Sequence, residues 1–208
     1  MTPALARLAG PGGLADLRRR YAQPHRAYHV WAHVEALLAW AEGLGDAIVD
    51  RDAVDAAILF HDAVHDPRRS DNEAQSAALL SACPDLCLTP DQRDSAVRMV
   101  LATAAHLPPT GLAGAALSDL TLFLDMDLSI LGARADRFDA YERQVRQEYA
   151  HVVDDDFARG RHAVLTRLAQ RPTLYFSAWG QDMFEAQARR NIDRSLTRAH
   201  WPLAEAIH

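Results

Sequence analysis

Apolar residues recur at spacings of three and four along nearly the whole chain. The series runs through Leu14, Leu17 and Tyr21, then Val30, Val34, Leu37, Leu38 and Ala41, then Val54, Ala57 and Ile58. It continues with Val97, Val100, Leu101 and Ala104, with Leu120, Phe123, Leu124 and Leu131, with Phe138, Tyr141 and Val145, and with Phe157, Val164, Leu165 and Leu168. That is the period of an amphipathic helix, and no run of alternating β-branched residues accompanies it. The punctuation agrees. Gly43 and Gly45 close one predicted helix, Thr89-Pro90-Asp91-Gln92 opens another with proline at its first position, and Pro108-Pro109 and Pro172 interrupt others. A last segment from about Ser177 to Arg198 carries Trp179, Met183, Phe184, Ile192 and Leu196 and reads as a long closing helix. The expected class is all-α, a bundle of about eight or nine helices. No internal repeat, low-complexity tract or linker divides residues 1–208, so one domain is expected.

Composition narrows the chemistry. A chain of 208 residues with 49% hydrophobic content buries roughly 70% of its unfolded surface, enough to fold without disulfides. A formal charge of −6 argues against nucleic acid as the main partner and for a small soluble one. All 22 basic residues are arginine, which excludes Schiff-base chemistry and the P-loop lysine. Cys83 and Cys87 flank Pro84 and are read as structural thiols. Neither a secretory signal nor a run of apolar residues long enough to span a membrane is apparent, so no membrane partner and a cytoplasmic location are expected. Nothing in the pattern fixes the oligomeric state.

Against this background the dipeptide His61-Asp62 stands out, because it continues the apolar run Val54, Ala57, Ile58, Leu59, Phe60. Burying an imidazole beside a carboxylate is costly unless a further charge compensates, and a divalent cation does so. At about 100° per residue, both side chains fall towards the apolar face of their helix. The same construction puts His33 at the edge of the face made by Val34, Leu37 and Ala41, with His29 further out. It also places Asp127, rather than Asp125, between Phe123 and Leu131, so Asp127 is expected to be the buried carboxylate. His106 ends another helix and is a further candidate, as a substrate contact or an extra ligand.

His33, the pair His61-Asp62 and the distal Asp127 together resemble the signature of the HD superfamily of metal-dependent phosphohydrolases. Most of the chain is similar to one branch, predicted HD phosphohydrolases of about 200 residues. The segments that carry this are Tyr28-His29 to His33, Phe60-His61-Asp62-Ala63-Val64 to Asp66-Pro67, Ser70-Asp71-Asn72-Glu73, Leu124 to Gly132 and Glu185 to Asn191. His65 departs from the branch, where tyrosine is expected. The resemblance implies an HD-like helical bundle in which His33, His61, Asp62 and Asp127 hold a divalent ion. Nitrogen and oxygen donors without thiolate suit Mn, Fe, Co, Ni or Zn without choosing among them, and Mg is possible.

The implied activity is hydrolysis of a phosphate ester of a small phosphorylated metabolite, a nucleotide in the first instance, by a metal-activated water. Phosphate oxygens need positive charge, and without lysine that role falls to the metal and to an arginine. Arg26, Arg68 and Arg69 are nearest in sequence, with Arg26 and Arg68 taken as substrate contacts. Asp66 and Glu73, after the His-Asp pair, are catalytic candidates that could orient water or protonate a leaving group. Asp71 suits a helix cap. Glu185, Arg189 and Asn191 are read as fixing the fold. The alternative function is a metal-dependent helical domain that binds or senses a nucleotide without turnover. A di-iron bundle, suggested by Glu148 and His151 at the spacing of such sites, lacks a second Glu-x-x-His element.

Overall fold

The structure is a computed structural model that describes Leu8 and residues 11–197. Among these residues all regular structure is helical, in nine α-helices of ten residues or more. They are α1 (Pro11–Tyr21), α2 (Trp31–Leu44), α3 (Arg51–Phe60), α4 (Asn72–Ala82), α5 (Pro90–Ala102), α6 (Gly114–Asp127), α7 (Ala135–Glu148), α8 (Asp154–Ala169) and α9 (Ala186–Leu196). The all-α expectation is met. By backbone proximity the chain forms two compact units, residues 1–126 and 127–208.

The first unit is built around α3. Every residue of that helix from Ala53 to Phe60 is buried, so it is covered on all sides rather than along one stripe, as a central helix must be, and Asp55 is the one charge it carries inside. Helices α2, α4 and α5 pack on it, and α5 packs on α4. Full burial of Ile58, Leu59 and Phe60 contributes roughly 1.5–3 kcal/mol per side chain. The helix ends are fixed by polar groups. Thr89 accepts from the Gln92 amide and Gln92 answers with its own side chain, completing the capping box that the Thr-Pro-Asp-Gln sequence predicts. Asp50 caps α3 by accepting from the Ala53 amide, and the buried carboxylate of Asp119 receives the amides of Val49 at 2.8 Å and Asp50 at 2.7 Å. Gly45, with φ of 51°, ends α2 in a conformation that side chains resist.

The second unit is organised by its last helix. Ala178–Gly180, a π-turn at Gln181–Glu185 and α9 follow one another without interruption, which is the predicted closing helix up to Leu196; Arg198 lies outside the described residues. Phe184 and Ile192 are buried while Met183 is exposed. The Glu185 carboxylate accepts from the amides of Leu174 and Tyr175. Arg189 donates to the carbonyls of Ala169 and Arg171, both at 2.7 Å, at the end of α8. Asn191 donates to the carbonyls of Leu131 and Ala133, each at 2.8 Å. All three residues satisfy backbone groups that helix ends and turns leave over, so their role is structural, as read. Gly132 is required by close approach, since a Cβ there would sit 2.6 Å from Cβ and 2.8 Å from Cα of Phe184.

Two local expectations are corrected. Asp71 occupies the N-cap position of α4 but caps nothing; its carboxylate is taken up by Arg69, at 2.6 and 2.8 Å, and by Gln75. Glu148 ends α7 and is buried, whereas His151 lies beyond the helix and is exposed, so the two do not present one helical face and the di-iron reading loses its basis.

Candidate metal centre

His33 lies in the first turn of α2 and is buried. His61 is the C-cap of α3, 2% exposed, and its ring packs edge-on against Phe123. The helix ends one residue before the pair, so Asp62 turns away from the core face projected for it, and its side chain is 20% exposed. The three side chains nevertheless converge. His61 Nε2 is 3.2 Å from His33 Nε2 and 3.0 Å from Asp62 Oδ2, and His33 Nε2 is 4.0 Å from that same oxygen.

The proton inventory makes this grouping informative. His61 Nδ1 lies 2.9 Å from the Ile58 carbonyl and donates to it, which in the neutral ring leaves Nε2 as a bare lone pair. That lone pair faces a second imidazole nitrogen and a carboxylate oxygen. One proton on Nε2 can satisfy one of them; a cation at the common point satisfies all three. Ligands sharing a transition-metal ion at about 2.0–2.2 Å lie roughly 3–3.4 Å apart, which two of the three separations match. A carbonyl acceptor on the far nitrogen is also the usual outer partner of a metal-ligating histidine. The C-terminal end of α3 adds a negative dipole end where a cation is wanted. The residues present therefore fit a divalent ion, and the exposed edge of Asp62 leaves a side open to solvent.

The backbone that carries the site is held by side chains. The Tyr21 hydroxyl accepts from the Asp62 amide and donates to the Leu59 carbonyl. Arg26 is 6% exposed and stacks its guanidinium on Tyr21. It donates to the carbonyls of Asp62 at 2.6 Å, His29 at 3.0 Å and Ala63 at 3.2 Å. Ser76 bonds both the amide and the carbonyl of Val64, His25 Nε2 donates to the His65 carbonyl at 2.7 Å, and Asn72 pairs with both backbone groups of Asp66. A non-helical loop with its polar groups paired in this way is preorganised.

Several expected site residues find different places. Arg26 is corrected from substrate contact to positioning residue, because its donors are taken up by backbone carbonyls. Asp127 is only half-buried, and Asp125 is the fully buried carboxylate. The single-stripe construction fails there because α6 buries every residue from Leu122 to Met126. Asp127 belongs to the second unit, where its charge acts on Tyr141. Asp66 accepts from the Arg68 amide, which holds its carboxyl below the usual carboxylate range; an acid so poised stays ionised and does not protonate a leaving group. Glu73 sits half-buried in the first turn of α4. Arg68 is exposed on the loop after the His-Asp pair. His106 follows α5 at φ of 46°, a left-handed conformation in which histidine is enriched, and it is not part of the trio.

Tyr21, Ser76, His25 and Asn72 were missed as site-supporting residues. No spacing rule exposes them, although a buried tyrosine at a helix end invites the question of where its hydroxyl goes.

No known family, no curated protein and no solved structure matches the chain. Among the described residues, no helix is long and apolar enough to cross a membrane.

Proposed function

We propose that the chain is a metal-dependent phosphohydrolase that cleaves a phosphate ester of a small phosphorylated metabolite, with nucleotides as the first class to examine. The observation that carries the reading is the lone pair of His61 Nε2 facing His33 Nε2 and Asp62 Oδ2. His33, His61 and Asp62 would hold a divalent ion, which would supply a lowered water pKa and a Lewis acid for a phosphoryl oxygen.

The chain's own residues supply the rest. His33 and His61 offer nitrogen donors and Asp62 offers charge. Tyr21 and Arg26 hold the Asp62 backbone, so the carboxylate is presented at fixed depth. Asp66, ionised and near the same loop, suits a role in orienting water. Arg68 is the arginine left for a phosphate, since Arg26 is taken up by carbonyls and Arg69 by Asp71.

The test is phosphate release from a panel of nucleoside mono-, di- and triphosphates, cyclic nucleotides and sugar phosphates, with metal content measured on the same samples of wild type and Asp62→Ala. Turnover that scales with bound metal and disappears in the variant supports the reading. Bound metal without turnover on any substrate moves the assignment to the nucleotide-binding or sensing alternative.

A further inference from the structure

The two cysteines fall on one short turn at the end of α4. Cys83 is the C-cap of that helix and half-buried, whereas Cys87 is exposed. A thiol exposed on a turn packs no core, which departs from the structural reading of both residues. Pro84 and Asp85 make the turn between them, with proline where its fixed φ is favoured. A four-residue turn keeps its outer α-carbons, here those of Cys83 and Leu86, within about 7 Å. Cys87 is the next residue.

One side chain holds the segment closed. Arg93 Nη1 donates to the carbonyls of Leu80 at 2.8 Å and Cys83 at 3.0 Å, and Nη2 donates to that of Leu86 at 3.1 Å. Both arms of the turn are thus gripped by a single guanidinium. The Cys87 amide is tied as well, donating to the Leu8 carbonyl at 3.1 Å. All of these bonds use backbone groups, so the fold does not ask for sulfur at either position. A disulfide asks for α-carbons roughly 4.4–6.8 Å apart, which is the scale of such a turn.

We propose that Cys83 and Cys87 form a modification site, a dithiol that closes to a disulfide on reaction with a small-molecule disulfide such as oxidised glutathione. The exposed Cys87 thiolate attacks one sulfur of the small disulfide, forming a mixed disulfide and releasing one small thiolate. The Cys83 thiolate then attacks Cys87 Sγ, which forms the protein disulfide and expels the second small thiolate. The two protons lost by the protein thiols end on the two small thiols. The pair is oxidised by two electrons and the small disulfide is reduced by two. This inference is independent of metal binding and of phosphate hydrolysis.

Incubation of the whole chain with oxidised glutathione, an acid quench and non-reducing tryptic mapping test it, because both cysteines fall on one peptide, residues 70–93. Both thiols should disappear, and that peptide should lose two hydrogens and carry no glutathione. Cys83→Ser should instead accumulate glutathione on Cys87, since the resolving thiol is gone. The equilibrium constant for closure against glutathione should be larger for the folded chain than for the chain in urea. A persistent glutathione adduct on wild type, a disulfide between two chains, or two unreacted thiols overturns the site. Equal constants for the folded and the urea-unfolded chain overturn the claim that the turn presents the pair, and that comparison needs no variant to fold.

Discussion

Two buried polar groupings, one in each unit, use similar residue types to opposite effect. In the second unit Arg161 donates to the Tyr141 hydroxyl at 2.9 Å and to the Glu142 carboxylate, with Glu142 1% exposed. Burial works against the guanidinium charge, yet Tyr141 and Glu142 outweigh it and hold the Arg161 pKa above its ordinary value. In that group the buried guanidinium meets a carboxylate counter-charge and a hydroxyl acceptor. In the first unit His33, His61 and Asp62 bring two nitrogens and a carboxylate oxygen to one point, and the arginine nearby is turned to carbonyls instead. Burial of charge is thus common to both. What separates a structural group from a ligand set is the sign of the imbalance left after the hydrogen bonds are counted.

The largest expected effect breaks the Arg161 group. Glu142→Gln leaves a buried guanidinium without its counter-charge and should lower stability by about 3–5 kcal/mol. Asp62→Asn, at a carboxylate that faces two imidazole nitrogens, should change the stability of the metal-free protein far less. Urea unfolding of both, after chelation, checks the pair. A loss under about 1 kcal/mol in Glu142→Gln would put that pair in the class of weak surface ion pairs and dissolve the contrast.

Metal addition probes the trio from the other side. An ion that binds only the folded chain should raise stability by about 2.7 kcal/mol at one hundred times its dissociation constant. The gain should vanish in His61→Ala and persist in Glu142→Gln, as read by thermal unfolding with and without the ion.

The positioning residue comes next. Arg26→Ala strips hydrogen bonds from the carbonyls of His29, Asp62 and Ala63, at a cost of about 1–3 kcal/mol. Because Arg26 acts through the ligand-bearing loop, metal affinity should fall by roughly 10–100-fold. If affinity is unchanged while stability falls, Arg26 supports the fold alone.

How far these features were legible in advance depended on the physics involved. Helical periodicity exposed the fold class, and the His-Asp pair together with His33 pointed to three residues that the structure brings together and that could hold a metal, because a polar break in an apolar run is visible in one dimension. The choice of Asp127 over Asp125 went astray where α6 is buried on nearly every side and a wheel with one apolar face has nothing to select. Arg26 was noticed for its charge, but two of its three carbonyl partners lie 36 and 37 residues away, and no local pattern encodes which distant acceptors a guanidinium will meet.

The smallest effect concerns a third buried charge, Asp55 in α3, which stands between the two cases. Its side chain is fully buried and Oδ1 receives Arg51 Nε at 2.7 Å, while Oδ2 has no hydrogen-bond partner. Burial raises its pKa above the ordinary 3.8, and the Arg51 hydrogen bond and charge offset this only in part. A raised carboxyl pKa means that the folded chain binds the proton more tightly than the unfolded one. The stability this contributes is therefore full below pH 3.8 and is lost as the pH rises through the folded value. Asp55→Asn supplies a neutral side chain of the same shape, so its stability should not decline across that window. Relative to wild type it should gain ground from acid to neutral pH, by no more than about 1 kcal/mol because Arg51 loses a partly solvated ion pair. Urea unfolding of both proteins from pH 4 to pH 8 reads the difference. Curves that stay parallel would show that Arg51 compensates Asp55 as fully as Glu142 compensates Arg161.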